Sequence, residues 1–344
     1  MKRLQVALVG LSLAGALLPA GQVGAQDFYA GKQINLLVGS AVGGGYDTYA
    51  RLVARHWPKF IAGSPSIVVQ NLPAAGSLVA MNTLANTSPR DGTTVGAVQN
   101  HIGIEPIMGS TGPVENARYD GRMMNWIGSP SREIPVVVAW ANSPIRSFED
   151  TFTREMLVGT SGAATADSVY SRLMNQIIGT KFTIIEGYKG NPELSMAAER
   201  GEIMGRTGWF VSGMLASHGK QIADGHIRVL VQLSSEKHPA LPNVPVITDF
   251  IKDPVRRAQI EFSLSWLAAG RPFVAPPQVP AERVKLLRES FMKVVGSSEF
   301  IEEAHKMSLD VSPMSGEEVQ ALVNRIYATP SDVIRPVKEI MAAK

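Results

Sequence analysis

The chain has 344 residues, 45% hydrophobic and 18% charged, which is long for one domain and apolar enough to bury a core; a wholly disordered or collagen-like chain is excluded. Lys and Arg number 33 against 30 Asp and Glu, with no basic cluster that could track a phosphate backbone, so nucleic acid is not an expected partner. Zero cysteines leave neither a disulfide framework, a thiolate metal site nor a lipid attachment site.

Met1-Lys2-Arg3 is a short cationic start, Leu4 to Leu18 is apolar, and Val23-Gly24-Ala25 places small residues before a cleavage point. This pattern predicts a signal peptide over 1–25, cut before Gln26, and a periplasmic product; the apolar run is short for the roughly 20 residues of a membrane span. Loss of Lys2 and Arg3 leaves 31 basic against 30 acidic side chains, a net +1.

Gln33 to Gly39 reads as a buried strand, followed by a glycine loop and a helix carrying Tyr46, Tyr49, Ala50, Val53, Ala54 and Trp57 at helical spacing. Ser66–Gln70 and Thr94–Val98 are further short strands, with a helix over about Ser77–Ala85 between them. This order predicts an α/β domain with a largely parallel sheet. A second series runs from the strands Pro135–Trp140 and Glu155–Gly159 to a helix with Val169, Tyr170, Leu173, Met174 and Ile177 on one face. It continues through a strand at Phe182–Ile185, a helix near Pro192–Arg200 and a strand at Ile227–Leu233. The whole reads as two α/β lobes in tandem. Proline-rich stretches at Pro239–Pro245 and Pro272–Pro280 mark turns or crossings. Helical stripes follow at Val284, Leu287, Phe291, Val294 and at Val319, Leu322, Val323, Ile326, with a last helix over Asp332–Met341.

An internal echo links the two series. Leu37-Val38-Gly39-Ser40 leads to Asp47, Tyr49 and Arg51, and Leu157-Val158-Gly159-Thr160 leads to Asp167, Tyr170 and Arg172. Each lobe would aim a small-residue loop and a helix start at a shared cleft, at the carboxyl ends of the strands. Ser40 to Gly45 lets backbone N–H groups approach a ligand, and N–H groups at a helix start attract anions. The second loop, Gly159 to Thr165, adds hydroxyls from Thr160, Ser161 and Thr165. Asn71-Leu72-Pro73-Ala74-Ala75-Gly76 is a third small-residue turn. No Gly-Lys-Ser/Thr follows the first loop and Gly-x-Gly-x-x-Gly is not met, so a nucleotide cofactor is not expected. The six histidines are scattered without metal-ligand spacing, so no metal is expected. Asp47 at its helix start reads as a cap that could also meet ligand. Gly159-Thr160-Ser161-Gly162-Ala163 is one glycine short of a hydrolase elbow; a secreted serine hydrolase with Ser161 as nucleophile is the alternative from another class.

Several segments together carry a family resemblance: Gly44-Gly45-Tyr46-Asp47 with Arg51, Val68 to Gly76, Pro89 to Thr94, Gly159 to Gly162, Gly187-Tyr188-Lys189-Gly190, Leu241 to Pro245 and Val274 to Pro280. In this order, across nearly the whole mature chain, they resemble the Bug family, the periplasmic substrate-binding proteins of tripartite tricarboxylate transporters. The resemblance implies a two-lobed periplasmic-binding-protein fold of the Venus-flytrap, type II-like kind, each lobe a mixed sheet flanked by helices. It implies lobe 1 over 27–130 plus 251–344 and lobe 2 over 131–250. It further implies no enzymatic activity and a small organic carboxylate, a di-/tricarboxylate or an aromatic carboxylate, held without a buried arginine clamp. A monomer that hands its ligand to the membrane subunits of the transporter is the implied assembly; delivery to a signalling receptor is an alternative that sequence does not separate. By position, Ser40, Gly44, Gly45, Asp47, Ala74, Ala75, Gly76, Thr160, Ser161, Gly162, Thr165 and Tyr188 would meet the ligand. Departures from the family pattern are Ala74-Ala75 in the Asn-x-Pro turn, Ser168 where a histidine is frequent, and Met204 where an aspartate is frequent. Tyr46, Trp209 and Phe210 would border a roomier, partly aromatic cleft.

Overall fold

A computed structural model describes residues 28–109, 116–162 and 165–342. The expected signal peptide, 1–25, lies outside the described residues, as do Ala163 and Ala164 of the second loop. The strands form two separate sheets. β1 (Gln33–Val38), β2 (Ser66–Asn71), β3 (Thr94–Ala97), β4 (Asn125–Ser129), β10 (Phe273–Ala275) and β11 (Met314–Ser315) make the first, in the order β11-β4-β10-β3-β1-β2. β5 (Pro135–Trp140), β6 (Met156–Gly159), β7 (Phe182–Ile185), β8 (Gly205–Phe210) and β9 (Ile227–Gln232) make the second, in the order β7-β6-β8-β5-β9. β1 runs parallel to β2 and β3, and β6 parallel to β7 and β8.

Both sheets are mixed, because the chain leaves the first after β4 and returns as β10, which inserts antiparallel between β3 and β4. The largely parallel arrangement expected from the residues of the first series therefore holds only for β1 to β3. In the second sheet β5 is antiparallel to both neighbours and is buried along all six residues, as expected of a strand covered on both faces.

One face of β1 buries Ile34, Leu36 and Val38 against the helix Gly45–His56 and the helix Ala281–Val295, where Trp57, Phe273 and Phe291 meet edge to face or tilted. The outer face of the second sheet buries Val136, Val138 and Trp209 beneath the helices Asn191–Glu199 and Val211–Ala223. A third, continuous apolar cluster runs from Leu78, Met81 and Leu84 of the helix Leu78–Asn86 in the first lobe to Leu173 of the helix Ala166–Leu173 and to Val158 and Phe182 of the second sheet. It passes through the helices Pro254–Ser265 and Ser331–Ala342. The last of these packs on the helix Ala166–Leu173. Among the described residues no helix is long and apolar enough to cross a membrane.

The two passages between sheets touch. Ser129 Oγ donates to Ser131 O (2.7 Å) and accepts from the Arg271 N–H (3.0 Å). Gly270, at φ +51°, lies so close that an added Cβ would sit 1.9 Å from Ser131 O.

Candidate functional site

The loops after β1, β2 and β3 are tied to one another, and with the starts of the helices Gly45–His56 and Ala166–Leu173 they border a cavity between the sheets. The first loop is pinned from below by Asp47, 1% exposed. Its carboxylate accepts from the Gly43 N–H (2.8 Å), from Arg51 Nε (2.9 Å) and from Asn71 Nδ2 (2.8 Å), and Asn71 Nδ2 also reaches Ser40 O (2.9 Å). Burial opposes the charge, but the bonds from Arg51, Gly43 and Asn71 outweigh it and hold the Asp47 pKa below its ordinary value. Asp167 repeats the device: it accepts from the Ser161 N–H (3.4 Å) and from the Thr165 hydroxyl. The echo seen in the sequence is thus a pair of loop-holding aspartates, each in the first turn of its helix.

The third loop depends on Ser77. Its Oγ donates to Gly39 O (2.8 Å) and accepts from the Gln99 N–H (3.0 Å), tying the loops after β1 and β3 together. Ala75, Gly76 and Ser77 all have positive φ, at 46°, 57° and 77°. Gly39 makes room for this, since a Cβ there would lie 2.2 Å from Ser77 Oγ.

Between the loops is a cavity of about 480 Å³. Its polar end is formed by Tyr46, Gln99, Asn100, His101, Glu133 and Arg271. The Arg271 guanidinium lies 4.4 Å from the Tyr46 ring centroid and donates to Glu133 Oε1 at 2.9 Å. The Asn100 N–H donates to the Tyr46 hydroxyl at 3.2 Å. Burial raises the Glu133 pKa, with Arg271 pulling it back. Burial lowers that of His101, opposed by Glu105, so the imidazole is neutral at pH 7. The other walls are Ile104, Met108, Val169, Tyr170 and Phe210, closed by Trp266, Leu267 and Met341.

Of the residues expected at a ligand, Tyr46 and Gly76 line this cavity, and Phe210 does so as expected of a cleft border. Gly44 and Gly45 start the helix beside it, Gly45 standing against the Arg271 guanidinium. Ser40 Oγ and Thr160 Oγ1, at matching places in the echo, are buried without a hydrogen-bond partner. Ala166 and Val169 bring the second-lobe helix to the cavity, whereas Thr165 and Ser168 turn to Asp167, Glu186 and Arg172. Ala74 and Ala75 are exposed at the turn, and Ser161 and Gly162 lie at the loop surface. Tyr188 packs on the outer-face cluster of the second sheet. Trp209 belongs to that cluster as well, stacked on Trp140 at 6.2 Å with Arg206 over its ring at 4.2 Å; it is a core residue, because the glycine at 208, with φ +69°, and the register shift between β5 and β8 turn it to the covered face.

Reading the sequence missed Glu133 and Arg271, which flank the passages between sheets, and His101, Tyr170, Trp266 and Met341. The resemblance implied a cleft without a buried arginine clamp; the structure puts the part-exposed Arg271 guanidinium on the cavity wall, paired with Glu133. Ser161, the alternative nucleophile, meets Asp167 through its N–H. The side chains of His56, His218 and His238 engage Glu303, Ser217 and the Ala240 N–H. Among the described residues no group of three His, Cys, Asp or Glu is placed to hold a metal ion.

Residues 50–337 match the family described as tripartite tricarboxylate transporter family receptor. The chain belongs to this family. It is 24% identical over 234 residues to the UPF0065 protein in the TAR-I ttuE-ttuC' intergenic region of Agrobacterium vitis, a match that covers 65% of this chain and spans 63% of that relative's length. Among solved structures it is similar to a TctC solute binding protein from Polaromonas (17% identity, 91% of this chain and 99% of the other, TM-score 0.71). It is also similar to an R. palustris protein solved with adipate (19% identity, 89% and 97%, TM-score 0.56). These likenesses establish the fold as the two-lobed periplasmic-binding-protein architecture of the family, with a mixed sheet in each lobe.

Proposed function

We propose that the protein is a non-enzymatic, periplasmic solute-binding protein that captures a small organic carboxylate and presents it to the membrane subunits of a tripartite tricarboxylate transporter. The observation that carries this reading is the cavity between the two sheets, lined by the loops after β2 and β3 and by the starts of the helices Gly45–His56 and Ala166–Leu173. A helix start and a guanidinium in the lining of a part-open cavity suit an anionic head group. Membership of a transporter-receptor family and a neighbour that carries adipate support the same class of ligand. Lobes spanning 27–130 plus 251–344 and 131–250 fit the strands, all of the first sheet lying within 33–129 and 273–315 and all of the second within 135–232. Ser40, Gly44, Gly45, Tyr46, Gly76 and Thr160 are the proposed contacts, with the Thr160 hydroxyl meeting ligand when the lobes close. Export through residues 1–25 and action as a monomer complete the proposal.

Thermal unfolding of the chain from Gln26 onward against aliphatic and aromatic mono-, di- and tricarboxylates, with sugars and amino acids as controls, tests it. A ligand at 1,000 times its Kd adds about 4 kcal/mol, which raises the midpoint by several degrees. A shift confined to carboxylates is the expected result; a shift with sugars or amino acids alone contradicts the proposal.

A further inference from the structure

The cavity lining carries one charged pair and a larger apolar surface. Among the described residues that line the cavity, Arg271 is the one guanidinium and Glu133 the one carboxyl, paired at 2.9 Å, with Glu133 4% exposed. His101 is neutral because burial lowers its pKa, and the Tyr46 and Tyr170 phenols are held neutral because burial raises theirs. An entering anion finds one guanidinium whose charge is already matched, together with the start of the helix Gly45–His56. One carboxylate can be held by such donors. A second or third would be taken out of water with no further cation among the described lining residues to meet it, at a desolvation cost that only close opposite charge offsets.

The apolar part of the lining has the reverse problem. Met108, Val169, Phe210, Trp266, Leu267 and Met341 face the space from both lobes, the passage between them and the last helix. A small hydrophilic polyacid would leave that surface wet, whereas an apolar body would cover it, and affinity follows apolar area removed from water. The volume, about 480 Å³, leaves room for a ring or a branched chain beyond the head group.

We infer that the ligand is a monocarboxylate with a large apolar body, an arylalkyl or cycloalkyl acid, its head between Tyr46, Asn100 and Arg271 and its body against Phe210, Trp266 and Met341. This inference rests on the carboxylate-receptor reading above and selects within it. Citrate-like and short dicarboxylate ligands are disfavoured by the Arg271–Glu133 charge balance.

Titration calorimetry on the chain from Gln26, unfolded in urea and refolded to strip any retained ligand, tests it with 3-phenylpropionate, cyclohexanecarboxylate, adipate, citrate and 3-phenylpropionamide. The two apolar acids are expected to bind at least about tenfold more tightly than adipate or citrate, the worth of roughly two buried methylenes. Phe210→Asn is expected to weaken phenylpropionate by about tenfold or more. Glu133→Gln, which frees the Arg271 charge, is expected to shift the adipate-to-phenylpropionate ratio by about tenfold towards adipate. Tighter binding of adipate or citrate by the unaltered protein overturns the inference and leaves the carboxylate-receptor reading standing. Equal binding of the amide and the acid, or binding of none of the acids, overturns that reading and the inference with it.

Discussion

At the residue scale, the two aspartates show how a loop without bulky side chains is kept in one shape. Asp47 lies almost wholly inside and takes hydrogen bonds from Gly43, Arg51 and Asn71. Asp47→Ala should cost about 2–4 kcal/mol, since it strands three donors, and urea unfolding measures it. The pH dependence has a definite sign. Because the folded-state pKa of Asp47 is lowered, its stabilisation is complete above the unfolded value of about 3.9 and is lost as pH falls through the folded value. Asp47→Asn should therefore flatten the acid limb of the stability profile below about pH 4; an unchanged limb would assign that loss to other carboxyls. Thr160 makes the opposite case. Its hydroxyl has no partner, so Thr160→Val should change stability by less than about 1 kcal/mol while weakening ligand binding by roughly tenfold, as expected for a hydrogen bond to a charged group. Full binding by this variant would remove Thr160 from the site.

At the element scale, the passages between sheets set the position of the cavity's charged pair. Glu133 and Arg271 sit one on each passage, and Ser129 links them. Gly270→Ala places a Cβ against Ser131 O in a left-handed residue, so a loss of about 2 kcal/mol or more is expected, readable as a lower urea midpoint. This region also shows where the sequence was hard to read. β1, β5 and the helix Gly45–His56 were legible because their apolar residues recur at strand or helix spacing. β8 was not, because Gly205 and Gly208 interrupt its run and a register shift turns Trp209 to the outer face. β10 hides in a proline-rich stretch, where Phe273 to Ala275 are only three residues long. Arg271 and Glu133 carry no motif: they meet through the antiparallel return of the chain, a contact 138 residues apart that local spacing does not encode. The small-residue loops were legible because their composition is the signal, and Tyr170 was legible as a core residue of its helix and a member of the echo, not as a cavity wall.

At the scale of the whole molecule, two sheets are joined by two passages and by one apolar cluster that the helices Pro254–Ser265 and Ser331–Ala342 extend across the gap. Met341 carries that last helix to the cavity wall. A ligand that touches both lobes shifts the population towards the closed arrangement only by its better contacts there, so a bound carboxylate should raise the unfolding midpoint and reduce the radius of gyration together. A crystal structure of the protein with its tightest-binding carboxylate decides where the head group sits. The carboxylate group is expected between Tyr46, Asn100 and Arg271, beneath the start of the helix Gly45–His56, with contacts from both lobes. A carboxylate bound elsewhere, or held by one lobe's outer surface alone, would contradict the proposed site.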